Sequence, residues 1–449
     1  MTRKLLLPGL CVACFCLCLP LFLGGKEKDD DFKNLCDSFY KGYKELSIPE
    51  TAFDYHDYFN NIPGTEQLQK QEIFFKNQAD RLSAINKGGL SNEEKLYYEH
   101  LHYEIDINLD RISLEKQWVQ AGRKIPEGGI YTLGQSKPWY RHFVKEYTST
   151  DISPEDVFAL GLSETKRVQR EIKRIESALG FTNDSLFYLH LQNDSFYLHD
   201  KEEIIRDYAA IDKTVRSNLY KIVQDTNVPA IEPMEWPDAG PNTPPGIYLD
   251  KANNAYGRDV FQFNFYKGRH NKRSMEWLYM HEAIPGHHLQ FTFRLKINAP
   301  DFQKLFLYPG NFEGWGCYVE YMGKEAGLYK NPYSELGKWQ WDLVRSVRLA
   351  LDVGVHYYGW NRAKAMQFWK QNIYGQDDIA DREITRITNW PCQALSYKVG
   401  AAEIEKIKTA AMQNNPDLNI VDFHERFLEL SYFPLEIVEK QLNKDFAKG

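Results

Sequence analysis

A chain of 449 residues with 43% hydrophobic and 14% aromatic side chains has the apolar content for a large folded core, which excludes a disordered or low-complexity protein. Its 55 Lys and Arg against 62 Asp and Glu give a formal charge of −7, and no stretch concentrates the bases, so nucleic acid is excluded as the main partner. After residue 25 nothing approaches the roughly 20 apolar residues that a spanning helix needs.

In chain order, "MTRKLLLPGLCVACFCLCLPLFLGG" opens with Arg3 and Lys4, runs apolar from Leu5 to Leu23, and leaves through "KEKDDD". Residues 1–25 therefore read as an export signal or an N-terminal anchor, with a lipidated Cys14 as a third arrangement. The body is expected in the periplasm or cell envelope, with any membrane attachment made through this segment alone. Four of the seven cysteines lie in the leader, and Cys36, Cys317 and Cys392 in the body are too few for a disulfide framework.

Residues 26–449 are expected to form one mainly α domain of two lobes, about 26–228 and 229–449. Ser91 with Glu94 is a capping box that opens a helix to about Ile112, and Ser153-Pro154 opens another that ends near Gly180. Further helical patterns cover 66–86, 201–224, 334–358, 363–372, 378–388, 391–412 and 420–443. The Pro-rich stretch 229–245 reads as an extended connector. Only "GIYLD" (246–250) and "VFQFNFY" (260–266) read as strands, a short sheet or hairpin just ahead of a histidine cluster. An exposed strand there would suit an extended substrate backbone, and "VFQFNFY" is the better placed.

The cluster is "YMHEAIPGHHLQ" (279–290), a His-Glu pair followed by two histidines at a longer spacing than the His-Glu-x-x-His of zinc proteases. Ser274 can cap a helix that begins at Met275 and passes through His281. In an unbroken helix His287 falls about 240° from His281, and His288 falls about 20° away but roughly 10 Å along the axis. Neither could share one zinc with His281. Pro285 cannot donate to the His281 carbonyl and Gly286 has wide backbone freedom, so the pair is expected to insert a bulge that brings His287 or His288 back beside His281. Glu282 would then act as general base on a zinc-activated water. For the third ligand, "NFEGWGCYVEYM" (311–322) supplies Asn311 as a cap, Glu313 in the first turn, and Glu320 along the same face as an alternative or supporting carboxylate.

Further along, Gln393 and Tyr397 share a helix face at i, i+4, and Tyr397 is a candidate donor to a tetrahedral oxyanion. Helix 334–358 carries Arg345, Arg348, Asp352 and His356 within an arc of about 80° on an otherwise apolar surface. This predicts an Arg348–Asp352 pair beside a cleft, with His356 donating to substrate or orienting a ligand.

The blocks "MHEAIPGHHLQ", "FEGWGCYVE", "RLALDVGVHYYGW", "WPCQALSYKVG" and "FHERFLELSYFPL" resemble, in order, those of the bacterial family catalogued as domain of unknown function 885, over about residues 125–442. That family is similar to the helical zinc peptidases related to neurolysin and angiotensin-converting enzyme, and dipeptidyl peptidase III is a precedent for a lengthened His-Glu motif. The resemblance implies a zincin-like helical fold with a deep cleft. It implies one Zn2+ per chain on His281, His287 and Glu313, and Glu282 as base. Cys317 and Cys392 stand where that family tends to have Ala and Gly, which suggests a disulfide between them. The expected function is hydrolysis of short peptides, with Glu282, Tyr397 and His356 catalytic and with Gln393, Arg348, His288 and Glu320 toward the substrate. The rivals are hydrolysis of a non-peptide amide or ester, and a non-catalytic peptide-binding surface protein that keeps the pocket.

Overall fold

The computed structural model describes residues 26–46, 48 and 54–447. The leader lies outside them, and with it the expectations of a signal, an anchor or a lipidated Cys14. Among the described residues no helix is long and apolar enough to cross a membrane.

The first half is helical: α1 (Lys26–Glu45), α2 (Tyr55–Asn61), α3 (Thr65–Ala84), α4 (Asn92–Gln120), α5 (Ser136–Thr148), α6 (Pro154–Ala178), α7 (Asp184–Leu191) and α8 (Lys201–Asn218). The capping box forms as expected: Glu94 N–H donates to Ser91 Oγ at 3.1 Å and Ser91 N–H to the Glu94 carboxylate at 2.7 Å. α4 continues two turns past its expected end, because Leu114 and Trp118 extend its buried face. Four helices (α1, α2, α5 and α7) were not legible from capping and periodicity.

Two small sheets precede the histidine cluster. β1 (Tyr197–Leu198) pairs antiparallel with β5 (His270–Asn271). β2 (Glu232–Glu235), β3 (Gly246–Leu249) and β4 (Val260–Phe263) form the other, in the order β2-β4-β3, with β2 parallel and β3 antiparallel to β4. Two expectations are corrected here. The 229–245 connector contains β2, where Pro233 is tolerated because the strand lies at an edge. "VFQFNFY" supplies the central strand, paired on both sides, so β4 cannot pair with a substrate; the free edges belong to β2 and β3.

The second half holds α9 (Lys272–Glu282), α10 (His287–Lys296), α11 (Pro309–Val319), α12 (Pro332–His356), α13 (Arg362–Asn372), α14 (Asp377–Asn389), α15 (Leu395–Asn414), α16 (Ile420–Glu429) and α17 (Leu435–Asp445). The α9 cap is Asn271, which accepts from Arg273 N–H, while Ser274 Oγ donates to the Asn271 carbonyl. Asn311 lies inside α11, where its amide donates to Phe433 O and its Oδ1 accepts from Gln290. The expected helix 420–443 is two helices, broken ahead of Pro434, which has no N–H to continue the ladder.

Each of the four apolar clusters takes residues from both sides of the 229–245 segment; one joins Phe39 and Phe75 to Phe302, and another joins Val168 to Leu343 and Trp369. The two sequence halves therefore interleave in the core. α11 and α15 meet backbone to backbone: a Cβ on Gly314 would lie 2.7 Å from Gly400 Cα. That close crossing brings Glu313 of α11 and Tyr397 of α15 to the same region.

Candidate metal centre

The motif breaks its helix completely. α9 ends at Glu282, Ala283 N–H still donates to Tyr279 O at 2.9 Å, the Ile284–Pro285 peptide is cis, and α10 starts at His287. The expected bulge in one helix is thus a turn between two. Trp315 of α11 fastens it by donating Nε1–H to Pro285 O at 2.9 Å. Only glycine fits at 286, since a Cβ there would sit 1.9 Å from His281 O. The turn brings the His281 and His287 rings to 4.6 Å between centroids. Gly316 makes room for both: a Cβ at 316 would lie 2.8 Å from His281 Cε1 and 3.1 Å from His287 Cε1.

Glu313 completes a three-residue cluster. Its Oε2 lies 3.4 Å from His281 Nε2 and 3.5 Å from His287 Nε2. Tetrahedral ligands about 2.0–2.1 Å from a zinc are spaced about 3.4 Å apart, so these separations match the edges of one coordination shell. Glu313 Oε2 is also buried without a hydrogen-bond partner. Burial acts to raise the Glu313 carboxyl, but the two nearby imidazoles of His281 and His287 outweigh it and hold the group far below the usual carboxylate range. The donor set could hold one metal ion.

Behind the ligands, His281 Nδ1 meets Glu320 Oε1 at 2.8 Å, and Arg345 Nη1 donates to both Glu320 oxygens at 2.7 Å. This carboxylate fixes the ring and leaves Nε2 for the cluster. Glu320 therefore stands behind His281, with both oxygens held by Arg345 and by the histidine ring. A second grouping (His281, Cys317 and Glu320) also lies within 4.8 Å. Its Glu320 oxygens are already committed to Arg345 and to His281 Nδ1, which makes the His281–His287–Glu313 set the metal candidate. The ring of His287 stacks on Phe312 at 3.8 Å. His288 turns elsewhere, its Nε2 on Pro229 O at 3.0 Å and its ring 5.4 Å from that of Tyr248. His287, and not His288, is thus the second histidine of the cluster, and His288 faces Pro229 and Tyr248.

Glu282 Oε2 accepts from Tyr248 N–H at 2.9 Å, a backbone donor on the free edge of β3. The Tyr397 ring lies nearly parallel to that of His281, 6.3 Å away. Its hydroxyl accepts from Gln393 Nε2 at 3.4 Å and from Arg386 Nη2 at 3.3 Å. Arg386 was missed in the sequence, where α14 reads as an ordinary amphipathic helix.

The stripe on α12 divides differently from expectation. Arg348 pairs with Glu383 of α14, through Nε at 2.8 Å and Nη2 at 2.6 Å, and not with Asp352. Asp352 accepts from Tyr140 OH at 2.7 Å and from Cys392 N–H at 3.0 Å; burial raises its carboxyl to about 7 despite these donors. His356 is fully buried, with Nδ1 accepting from Ile130 N–H at 3.2 Å and Nε2 donating to Ile387 O at 2.8 Å. Both its nitrogens hold backbone together, and it takes no place at the cluster. Cys317 and Cys392 are free buried thiols in different apolar clusters, so the expected disulfide is absent.

With helical fold, broken motif and cluster in view, the chain is placed by comparison. Residues 114–442 match the family described as "Bacterial protein of unknown function (DUF885)", and the chain belongs to that family. A crystal structure from Colwellia psychrerythraea, of a candidate lipoprotein, is similar at TM-score 0.66 and 22% identity, over 94% of this chain and 76% of that one. A candidate lipoprotein of unknown function from Shewanella oneidensis is similar at TM-score 0.59 and 18% identity, over 84% and 72%. These likenesses establish a shared fold. No curated protein matches the chain.

Proposed function

We propose that this protein is a zinc-dependent metallohydrolase that cleaves short peptides. The observation that carries the reading is the convergence of His281, His287 and Glu313 at coordination spacing, with Glu282 next to the first ligand and Glu320 behind it. A metal-binding site alone has no need of a buried carboxylate adjoining the ligand, so Glu282 favours catalysis over storage or binding.

A zinc ion held by these three side chains supplies a Lewis acid that lowers the pKa of water and polarises a carbonyl. The chain's own residues account for the rest. Glu282 takes the proton of the attacking water and returns it to the leaving amine, with its second oxygen steadied by Tyr248 N–H. The phenol of Tyr397 donates toward the oxyanion that forms as the carbonyl becomes tetrahedral. Arg345 and Glu320 hold the His281 ring in one orientation throughout. The free edge of β3, adjacent to Glu282, is the strand on which an extended peptide can lie. We place the protein outside the cytosol, consistent with the charged-then-apolar leader and with the two structurally similar candidate lipoproteins.

The test combines metal content with activity on a peptide library. One zinc per chain is expected in the wild type and in Glu282→Gln, and none in His281→Ala or His287→Ala. Glu282→Gln should lose about 10²- to 10⁴-fold in rate with its zinc intact. A wild type that takes up no zinc on reconstitution would refute the reading.

A further inference from the structure

Across Tyr397 from the candidate metal cluster, α12 and α14 bring three arginines toward one buried carboxylate. Glu383 is the shared carboxylate: Arg348 pairs with it at 2.6 Å and Arg382 at 2.9 Å, and the charge of Arg386 acts on it as well. Among the described residues Glu383 thus serves three guanidinium groups, and Glu313 of the cluster also acts on Arg386. Arg345 does not join them, because it is paired with Glu320.

Arg386 is the group left over. Its contacts are both neutral: Nη2 donates to Gln393 Oε1 at 2.5 Å and to Tyr397 OH at 3.3 Å. Among the described residues no carboxylate pairs with it, and no partner is found for its Nε or Nη1. A half-buried guanidinium whose own hydrogen bonds go only to neutral groups keeps the rest of its planar fork for a carboxylate, which it can hold by two charge-assisted bonds. Its position is suited to a substrate. The Tyr397 ring centre is 6.3 Å from that of His281 and 5.7 Å from Arg386 Cζ. At about 3.3–3.6 Å per extended residue, those two steps together span at most about three and a half residues.

We propose that Arg386, positioned by Gln393, receives the C-terminal carboxylate of a peptide whose scissile bond lies at the His281–His287–Glu313 cluster, so that cleavage occurs within a few residues of the C-terminus. The assignment rests on the hydrolase reading and names its substrate class. An acidic side chain could bring the same carboxylate, and the test separates the two sources.

The probes are trialanine, its C-terminal amide, and an amide of the same length with a central glutamate. In kcat/KM the zinc-loaded wild type should prefer the free acid about 10- to 100-fold over its amide, the scale of a charge-assisted hydrogen bond. Arg386→Gln should bring the acid-to-amide ratio to about one, whatever its common effect on both substrates through Tyr397, and Arg386→Lys should restore part of the ratio. Equal rates on acid and amide in the wild type, which require no variant to fold, overturn the proposal. A glutamate-bearing amide as good as the free acid also overturns it, moving the contact to a side chain.

Calorimetric titration of the metal-free protein with the same peptides, up to millimolar concentration, keeps the two readings apart. Free-acid binding that Arg386→Gln removes, with no hydrolysis by the zinc form, sinks the hydrolase reading and leaves the carboxylate site standing. Hydrolysis with binding indifferent to the terminal carboxylate sinks the site and leaves the hydrolase.

Discussion

Glu320→Gln is the sharpest perturbation of the centre, because it changes one charge and almost no volume. The carboxylate accepts from His281 Nδ1 at 2.8 Å and from Arg345 at 2.7 Å through each oxygen, with its side chain only 1% exposed and that of Arg345 2%. An amide keeps one acceptor and turns an NH2 toward a donor. Arg345 then remains buried without its counter-charge, which costs about 3–5 kcal/mol when one member of a buried pair is removed. The Coulomb estimate agrees, at about 4 kcal/mol for unit charges about 4 Å apart with an effective dielectric of about 20. The second consequence falls on the metal: losing the carboxylate behind a ligating histidine lowers affinity about 10- to 100-fold. Urea unfolding of the metal-free protein measures the first effect, and competition with a fluorescent chelator measures the second. A variant with wild-type urea midpoint and a zinc Kd within about twofold of wild type would refute the argument that Arg345 and Glu320 orient His281.

Two further outcomes concern stability. Trp315→Phe removes the Nε1–H donor from a buried Pro285 carbonyl and should cost about 1–3 kcal/mol in urea unfolding, with a parallel loss of zinc affinity as the turn before His287 loosens. An unchanged zinc affinity would detach the turn from the site. Burial lowers His100 to about 3 and His270, His356 and His424 to about 4, while burial raises Glu104 to about 8 and Asp352 to about 7. Below about pH 6.5 the unfolded chain binds protons at these four histidines that the folded chain refuses, so their stability is lost as pH falls toward 4. The two carboxyls act oppositely: their contribution is full below about pH 4.5 and fades as pH rises through 7 to 8. Four histidines less two carboxyls leave two protons, so these six groups together place the stability maximum near pH 6.5. The decline on the acid side is about 2.7 kcal/mol per pH unit. A urea midpoint that rises steadily from pH 6.5 to 5 would contradict this.

What the sequence could reveal divides along the range of the interactions. The helical class, the capping box and the meeting of His281 with a second histidine and Glu313 were legible because they depend on spacing and on local chemistry. Pro285 and Gly286 showed that the helix had to depart from regularity. They could not show whether the departure was a bulge or a break, and that distinction is what selects His287 and turns His288 toward Pro229. β2 stayed hidden because its prolines argue against a strand, and only pairing with β4 on one side makes them acceptable.

The charged stripe on α12 was misread for a related reason. Arg348 and Asp352 stand four residues apart, the spacing of an intrahelical pair, yet each found a stronger partner outside the helix: Glu383 from α14 and Tyr140 from α5. Spacing tells which groups can meet along one helix, but it carries no information about what a neighbouring helix offers. Arg386 is the converse case. Nothing in its own segment distinguishes it from a solvated arginine, and its meaning arises only where the α14–α15 turn sets it against Gln393 and Tyr397. The residues that could hold a metal can therefore be read from a motif, whereas a contact such as the one proposed for Arg386 draws on distant segments and becomes visible only once the chain is folded.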